Sequence, residues 1–138
     1  MILLDTNILS EIMKAEPDAR VVAWLDDQPA TSLFVSAVTR AEIELGIALL
    51  PEGRRKEAII TASRTMFEEF SGRCLAFGER AAVHYGQLVA ERTKKGRPIT
   101  VEDAQIASIA LVHGLHLATR NTRDFEGIPK LLLIDPWT

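Results

Sequence analysis

Cys74 is the only cysteine in a chain of 138 residues, so no disulfide framework is available to it. A lone thiol in the apolar stretch Arg73-Cys74-Leu75-Ala76-Phe77 is expected to be a small core residue in a reducing compartment. Histidine is equally scarce: His84 stands alone, and His113 and His116 straddle Gly114, which leaves no shared helical face for a histidine metal centre. Aromatic residues make up 6% of the chain, too few for a ladder of rings on which single-stranded bases would stack. No uncharged apolar stretch approaches the ~18 residues of a membrane span, and the apolar run at the start has no basic region ahead of it. A soluble, cytoplasmic protein without a membrane partner is expected. An excess of positive charge is also missing. The net charge is −3, which excludes a general nucleic-acid footprint and confines any basic surface to local clusters. These lie at residues 54–56, at 92–97 (including Lys94, Lys95 and Arg97), and at Arg120, Arg123 and Lys130.

What the chain does have is an ordinary globular balance, 47% hydrophobic and 25% charged, in a length that suits one domain over residues 1–138. Apolar β-rich runs at 2–4, 32–36, 74–77, 115–119 and 131–134 alternate with helical patterns at about 8–14, 18–27, 37–50, 54–70, 79–95 and 101–113. Pro29, Pro51, Pro98 and Gly114 punctuate them. Short strands separated by helices predict an α/β fold, a parallel sheet covered on both faces. The functional crevice of such a sheet lies beyond the carboxyl ends of its strands. Asp5 directly follows the first strand and is expected at that edge.

Two further acids open helices. In the pattern at 37–50, Val38, Glu42, Leu45 and Leu49 are spaced four, three and four apart, which predicts that Glu42 faces inward on an apolar stripe. Glu44 follows Arg40 by four residues, a solvent-side pair. In the pattern at 101–113, Asp103 aligns with Ile106, Ala107 and Ala110, again inward. Capping is the simpler role for each acid taken alone: Asp5 precedes a helix, and Thr39-x-x-Glu42 and Thr100-x-x-Asp103 have the spacing of a capping box. It does not account for all three starting helices at one sheet edge while two also lie on inward stripes. Two carboxylates ~4 Å apart repel by about 4 kcal/mol at an effective dielectric near 20, so a proton or a divalent cation must sit among them. Mg²⁺ or Mn²⁺ suits an all-oxygen site.

The segments ILLDTNILSE, SAVTRAEIELG, EDAQIASIAL and LATRNTRDF, with a final DPW, resemble in order the PIN-domain proteins. The resemblance is to the toxins of VapBC-type toxin–antitoxin modules, in particular the FitB-like branch, and it covers essentially the whole chain. It implies a three-layer α/β/α sandwich on a short parallel sheet, and a Mg²⁺- or Mn²⁺-dependent endoribonuclease that hydrolyses RNA phosphodiester bonds. It also implies a homodimer, and a cognate antitoxin that occludes the site and carries the assembly to operator DNA. By position, Asp5, Glu42 and Asp103 match the family's first three acids. The fourth falls on Asn121, where many relatives have Asp; Asp124 lies three residues on as the other candidate. Thr6 and Thr119 match supporting hydroxyl positions, and Arg120, Arg123, Lys94, Lys95 and Arg97 are candidate phosphate contacts.

Two other functions remain compatible with the residues. Acids at strand ends also serve phosphoryl transfer and receiver-like domains, although Asn7 stands where a second early acid belongs. A PIN-like module whose catalysis has lapsed is the other, with Asn121 as its main support.

Overall fold

The computed structural model describes Met1–Thr138. Strands β1 (Ile2–Leu4), β2 (Leu33–Ser36), β3 (Cys74–Leu75), β4 (His116–Ala118) and β5 (Leu133–Ile134) form one sheet in the order β3-β2-β1-β4-β5. Every neighbouring pair is parallel. Between the strands lie α1 (Thr6–Ile12), α2 (Ala19–Asp26), α3 (Ala37–Ala48), α4 (Arg54–Glu69), α5 (Glu79–Lys94), α6 (Val101–His113) and α7 (Thr122–Phe125).

Strand side chains alternate between two cores. Ile2, Leu4, Leu33, Val35 and Ala118 pack with Ile8 and Leu9 of α1, Val21 of α2, Ile43 and Ile47 of α3, and Met66 and Phe67 of α4. Leu3 and Leu117 face the other way, onto Ala81 and Leu88 of α5, the Ala104, Ala107 and Ala110 row of α6, and Phe125 of α7. The result is a three-layer α/β/α sandwich, each core held by side chains worth about 1.5–3 kcal/mol apiece when fully buried. The alanines let α6 approach the sheet closely. Gly114 then ends that helix in the left-handed conformation, at φ +63°, where a side chain would be strained.

Two features depart from expectation. The outer strands are shorter than their apolar runs: β3 offers only Cys74 and Leu75 to its single neighbour β2, so Ala76 and Phe77 leave the ladder unpaired. Cys74 is therefore exposed on an edge strand and is not a core residue. Partial burial pushes its thiol pKa up, so exposure does not make it a reactive thiolate. The one-turn helix α7 was not predicted, because four residues are too few to display a helical period.

The strand order fixes where a site can form. The chain runs outward from β1 to β2 and β3, then returns through α5 and α6 to lay β4 against the opposite side of β1. That reversal opens a crevice at the carboxyl ends of β1 and β4. Asp5 and Thr119 are the first residues beyond those two ends.

Candidate active site

Asp5 leaves β1 in an extended conformation, its N–H still bonded to the Ala118 carbonyl at 2.9 Å, and then caps α1. Its Oδ1 accepts the Thr6 N–H at 2.8 Å. Its Oδ2 accepts the Thr119 hydroxyl at 2.8 Å and the Asn7 side-chain amide at 3.3 Å. The cap and the site are thus the same group: one hydrogen-bond set ends a strand, starts a helix and fixes a carboxylate that is only 4% exposed.

Glu42 is half-buried one turn into α3. The Thr6 hydroxyl donates to its Oε1 at 2.7 Å, and the buried Thr39 hydroxyl stands 3.0 Å from the same Thr6 oxygen. The inward placement of Glu42 holds, but not for the reason its spacing gave. Leu45 and Leu49 are exposed, at 60% and 75%, while the buried row of α3 is Thr39, Ile43 and Ile47. Glu42 borders that row, drawn to Thr6 by a hydrogen bond. Thr39 is not a cap either: Ser36 caps α3, its hydroxyl accepting the Thr39 N–H at 3.0 Å. Glu44 lies outside, with Arg40 Nε 3.4 Å away and both side chains about half-exposed.

Asp103 stands in the first turn of α6, where Thr100 caps the helix by accepting the Asp103 N–H at 3.2 Å. Together Asp5, Glu42 and Asp103 line a cavity of about 410 Å³ with Thr6, Asn7, Ser10, Glu11, Lys14, Arg120, Asn121 and Trp137.

Burial first, and neighbouring carboxylates after it, raise the pKa of all three acids. Burial pushes Asp103 up to about 6, with the Asp5, Asp124 and Glu42 carboxylates adding to the rise and Thr100 opposing it. Burial also raises Asp5, against the pull of Thr119, Thr6 and Asn7. Glu42 is raised by burial first and by Asp5 and Glu102 after, with Thr6 lowering it. No cation pairs with any of the three. Unpaired carboxylates in a shared cleft are what a bound cation relieves. The donors are carboxylate, amide and hydroxyl oxygens, a hard set that fits Mg²⁺ or Mn²⁺. No group of three is already drawn together tightly enough to enclose an ion.

The other predicted residues divide. Asn121 lines the cavity, its N–H donating to the Thr119 hydroxyl at 3.0 Å. Asp124 lies on α7 outside the lining, exposed, yet near enough that its charge raises Asp5 and Asp103. Arg120 lines the cavity; Arg123, Lys94, Lys95 and Arg97 are exposed and do not. Within the 92–97 run, Arg92 is buried and donates to the carbonyls of Arg97, Glu126 and Asp124, fastening α7 to α5. Asn7, Ser10, Glu11, Lys14 and Trp137 also line the cavity without belonging to the sequence-predicted site. The first four share a three-one-three spacing along α1 and the turn after it, which is the one signal the sequence carries for them; Trp137 belongs to the terminal DPW.

Comparison with known proteins gives a consistent picture. The PIN domain family model matches residues 2–131. The VapC ribonuclease Y4jK of Sinorhizobium fredii is 40% identical, covering 99% of this chain and 98% of its own. Toxin FitB of Neisseria gonorrhoeae is 38% identical over 99% of both chains. Among solved structures, FitAB bound to the IR36 DNA fragment superposes with a TM-score of 0.92 at 37% identity, covering 100% of this chain and 96% of that one.

Proposed function

The chain belongs to the PIN-domain family, as a ribonuclease toxin of the VapC and FitB kind, and we propose that it cuts RNA at a divalent cation, Mg²⁺ or Mn²⁺, held by Asp5, Glu42 and Asp103. The observation that carries this is the meeting of three unpaired, partly buried carboxylates from β1, α3 and α6 at the switch point of the sheet. A cation there supplies Lewis-acid polarisation of a phosphate oxygen and acidifies water enough to attack at neutral pH.

The chain's own residues supply the rest. Asp5 has both oxygens fixed by Thr6, Asn7 and Thr119, so it presents its remaining lone pairs in one orientation. Asp103 faces it from the start of α6. Glu42 has Oε1 tied to Thr6, and its Oε2 is the atom that orients the attacking water and accepts its proton. Asn121 takes the position of the fourth acid, offering a carbonyl oxygen but no charge. The scissile phosphodiester would lie across the mouth of the cavity, over the three acids.

The partners of this reading are RNA as substrate and a protein antitoxin, through which the assembly would reach operator DNA; among relatives, FitAB is solved bound to a DNA fragment. A homodimer belongs to the same reading, and it would cover exposed apolar side chains such as Leu45, Leu49 and Val83. No helix is long and apolar enough to cross a membrane. An RNA substrate and a DNA-binding antitoxin would place the protein in the cytoplasm. The test is RNA cleavage by the purified chain, free of antitoxin. Cleavage in Mg²⁺ or Mn²⁺ is expected to stop in excess EDTA and return with added metal; undiminished cleavage in EDTA rejects the metal assignment.

A further inference from the structure

We propose that Lys14 and Arg120 form a phosphate subsite on the rim of the acid cavity, taking an RNA phosphodiester next to the one that is cut. The proposal rests on the nuclease reading above and adds a binding element to it. A cleft lined only with carboxylates repels a polyanion, so strand binding needs fixed positive charge close by. The same cavity that holds Asp5, Glu42 and Asp103 is lined by these two cations.

Each cation is anchored by a buried partner that the hydrolytic chemistry does not use. Glu11 is 6% exposed; its Oε1 accepts Lys14 Nζ at 2.9 Å and its Oε2 accepts the Asp18 N–H at 2.9 Å. The second bond stops the carboxylate from swinging, so the ammonium has a fixed seat. The Lys14 side chain is still 60% exposed, with one of its three N–H donors used. On the other side, the Arg120 guanidinium lies 5.1 Å from the centroid of the Trp137 ring. Trp137 is itself 6% exposed, and its backbone N–H donates to Asp135 Oδ1 at 2.9 Å. The Arg120 backbone is pinned beside Asp5 by donating to Asn7 Oδ1 at 3.2 Å. Its guanidinium has no carboxylate within ion-pair distance; Asp18, whose charge it feels, is taken by Arg20 at 2.8 Å.

An ordinary surface pair at i,i+3 contributes little and orders little. This arrangement differs in that both anchors are buried, both cations keep unused donors, and both line the acid cavity. Planar guanidinium and point-like ammonium together match a phosphate that must be gripped without being cut.

The experiment measures binding, not cleavage. In an Asp103→Asn background with chelator, the affinity of a short labelled single-stranded RNA is titrated across salt concentrations. Lys14→Gln and Arg120→Gln should each weaken binding about fivefold at low salt. Each should also flatten the log–log salt dependence by roughly 0.7, the value for one lost phosphate contact on a single strand. Trp137→Leu should reproduce Arg120→Gln and add nothing to it in the double variant, whereas Trp137→Phe, which keeps a ring face, should bind like the parent. Lys130→Gln controls for equal charge change at an exposed position off the cavity. If Lys14→Gln and Arg120→Gln match Lys130→Gln in affinity and slope while the parent binds RNA, the subsite is wrong and the nuclease reading stands. A parent that binds no RNA overturns both.

Discussion

At the residue scale, Asp103 shows how a site group sets stability against pH. Its pKa is raised from 3.8 to about 6 in the folded chain, by burial first and by the Asp5 charge next. A raised acid favours the folded state while it is protonated. Its contribution is therefore complete below pH 3.8 and is lost as pH climbs through about 6. Metal-free protein should lose melting temperature across that window, and Asp103→Asn should remove the loss, gaining on the order of 1 kcal/mol at pH 7 after solvent screening. Thermal melts from pH 3 to 8 in EDTA check this; equal pH profiles for the two proteins would contradict it. The same variant, and Asp5→Asn, should be inactive. A second residue question is what completes the acid set. Asn121→Asp should lower the metal concentration needed for half-maximal cleavage, because Asn121 already lines the cavity. Asp124→Ala should affect melting temperature more than metal requirement, and the reverse outcome would transfer the role to Asp124. Asp5 was legible in the sequence because it follows a buried strand without a gap. Asn7, Glu11 and Lys14 were not, since a short polar helix face looks the same whether it meets solvent or a cleft.

At the element scale, α3 separates a correct inference from its faulty support. The four-three-four spacing of Val38, Glu42, Leu45 and Leu49 fits a buried stripe, yet both leucines are exposed and the true inner row is Thr39, Ile43 and Ile47. A polar residue in the inner row hid it: Thr39 is fully buried only because Thr6 and Ser36 lie beside it. Glu42→Gln should nonetheless cost activity by about 100-fold or more, the scale of a lost general base. Glu44→Gln should change it little, since Glu44 sits half-exposed beside Arg40. Steady-state cleavage rates decide, and a disabled Glu44→Gln beside an active Glu42→Gln would reverse the assignment. The start of α3 offers a structural check. Ser36→Ala removes the hydroxyl that accepts the Thr39 N–H and should cost about 0.5–2 kcal/mol in unfolding experiments. Helix α6, by contrast, was fully legible: Thr100 opens it, an alanine row buries it and Gly114 closes it.

At the scale of the whole molecule, strand order is what turns scattered acids into a site. The reversal at β1 sets the ends of β1 and β4 side by side, and Asp5 and Thr119 join across it at 2.8 Å although they are far apart in sequence. Alternating strands and helices predict the parallel sheet, but no local pattern specifies on which side of β1 the fourth strand inserts. That choice depends on two cores closing together, one on each face of the sheet. It is also why Cys74 ended on an exposed edge: an apolar run does not say how many partners its strand will find. The central claim, that carboxylates from three separate elements act as one divalent-cation site, is tested most directly by titrating Mn²⁺ into metal-free protein and following free Mn²⁺ by electron paramagnetic resonance. The wild-type chain should bind the ion, Asp5→Asn and Asp103→Asn should each bind at least about tenfold more weakly, and Glu44→Gln should bind like wild type; affinity for Mn²⁺ that survives unchanged in both asparagine variants would contradict the account.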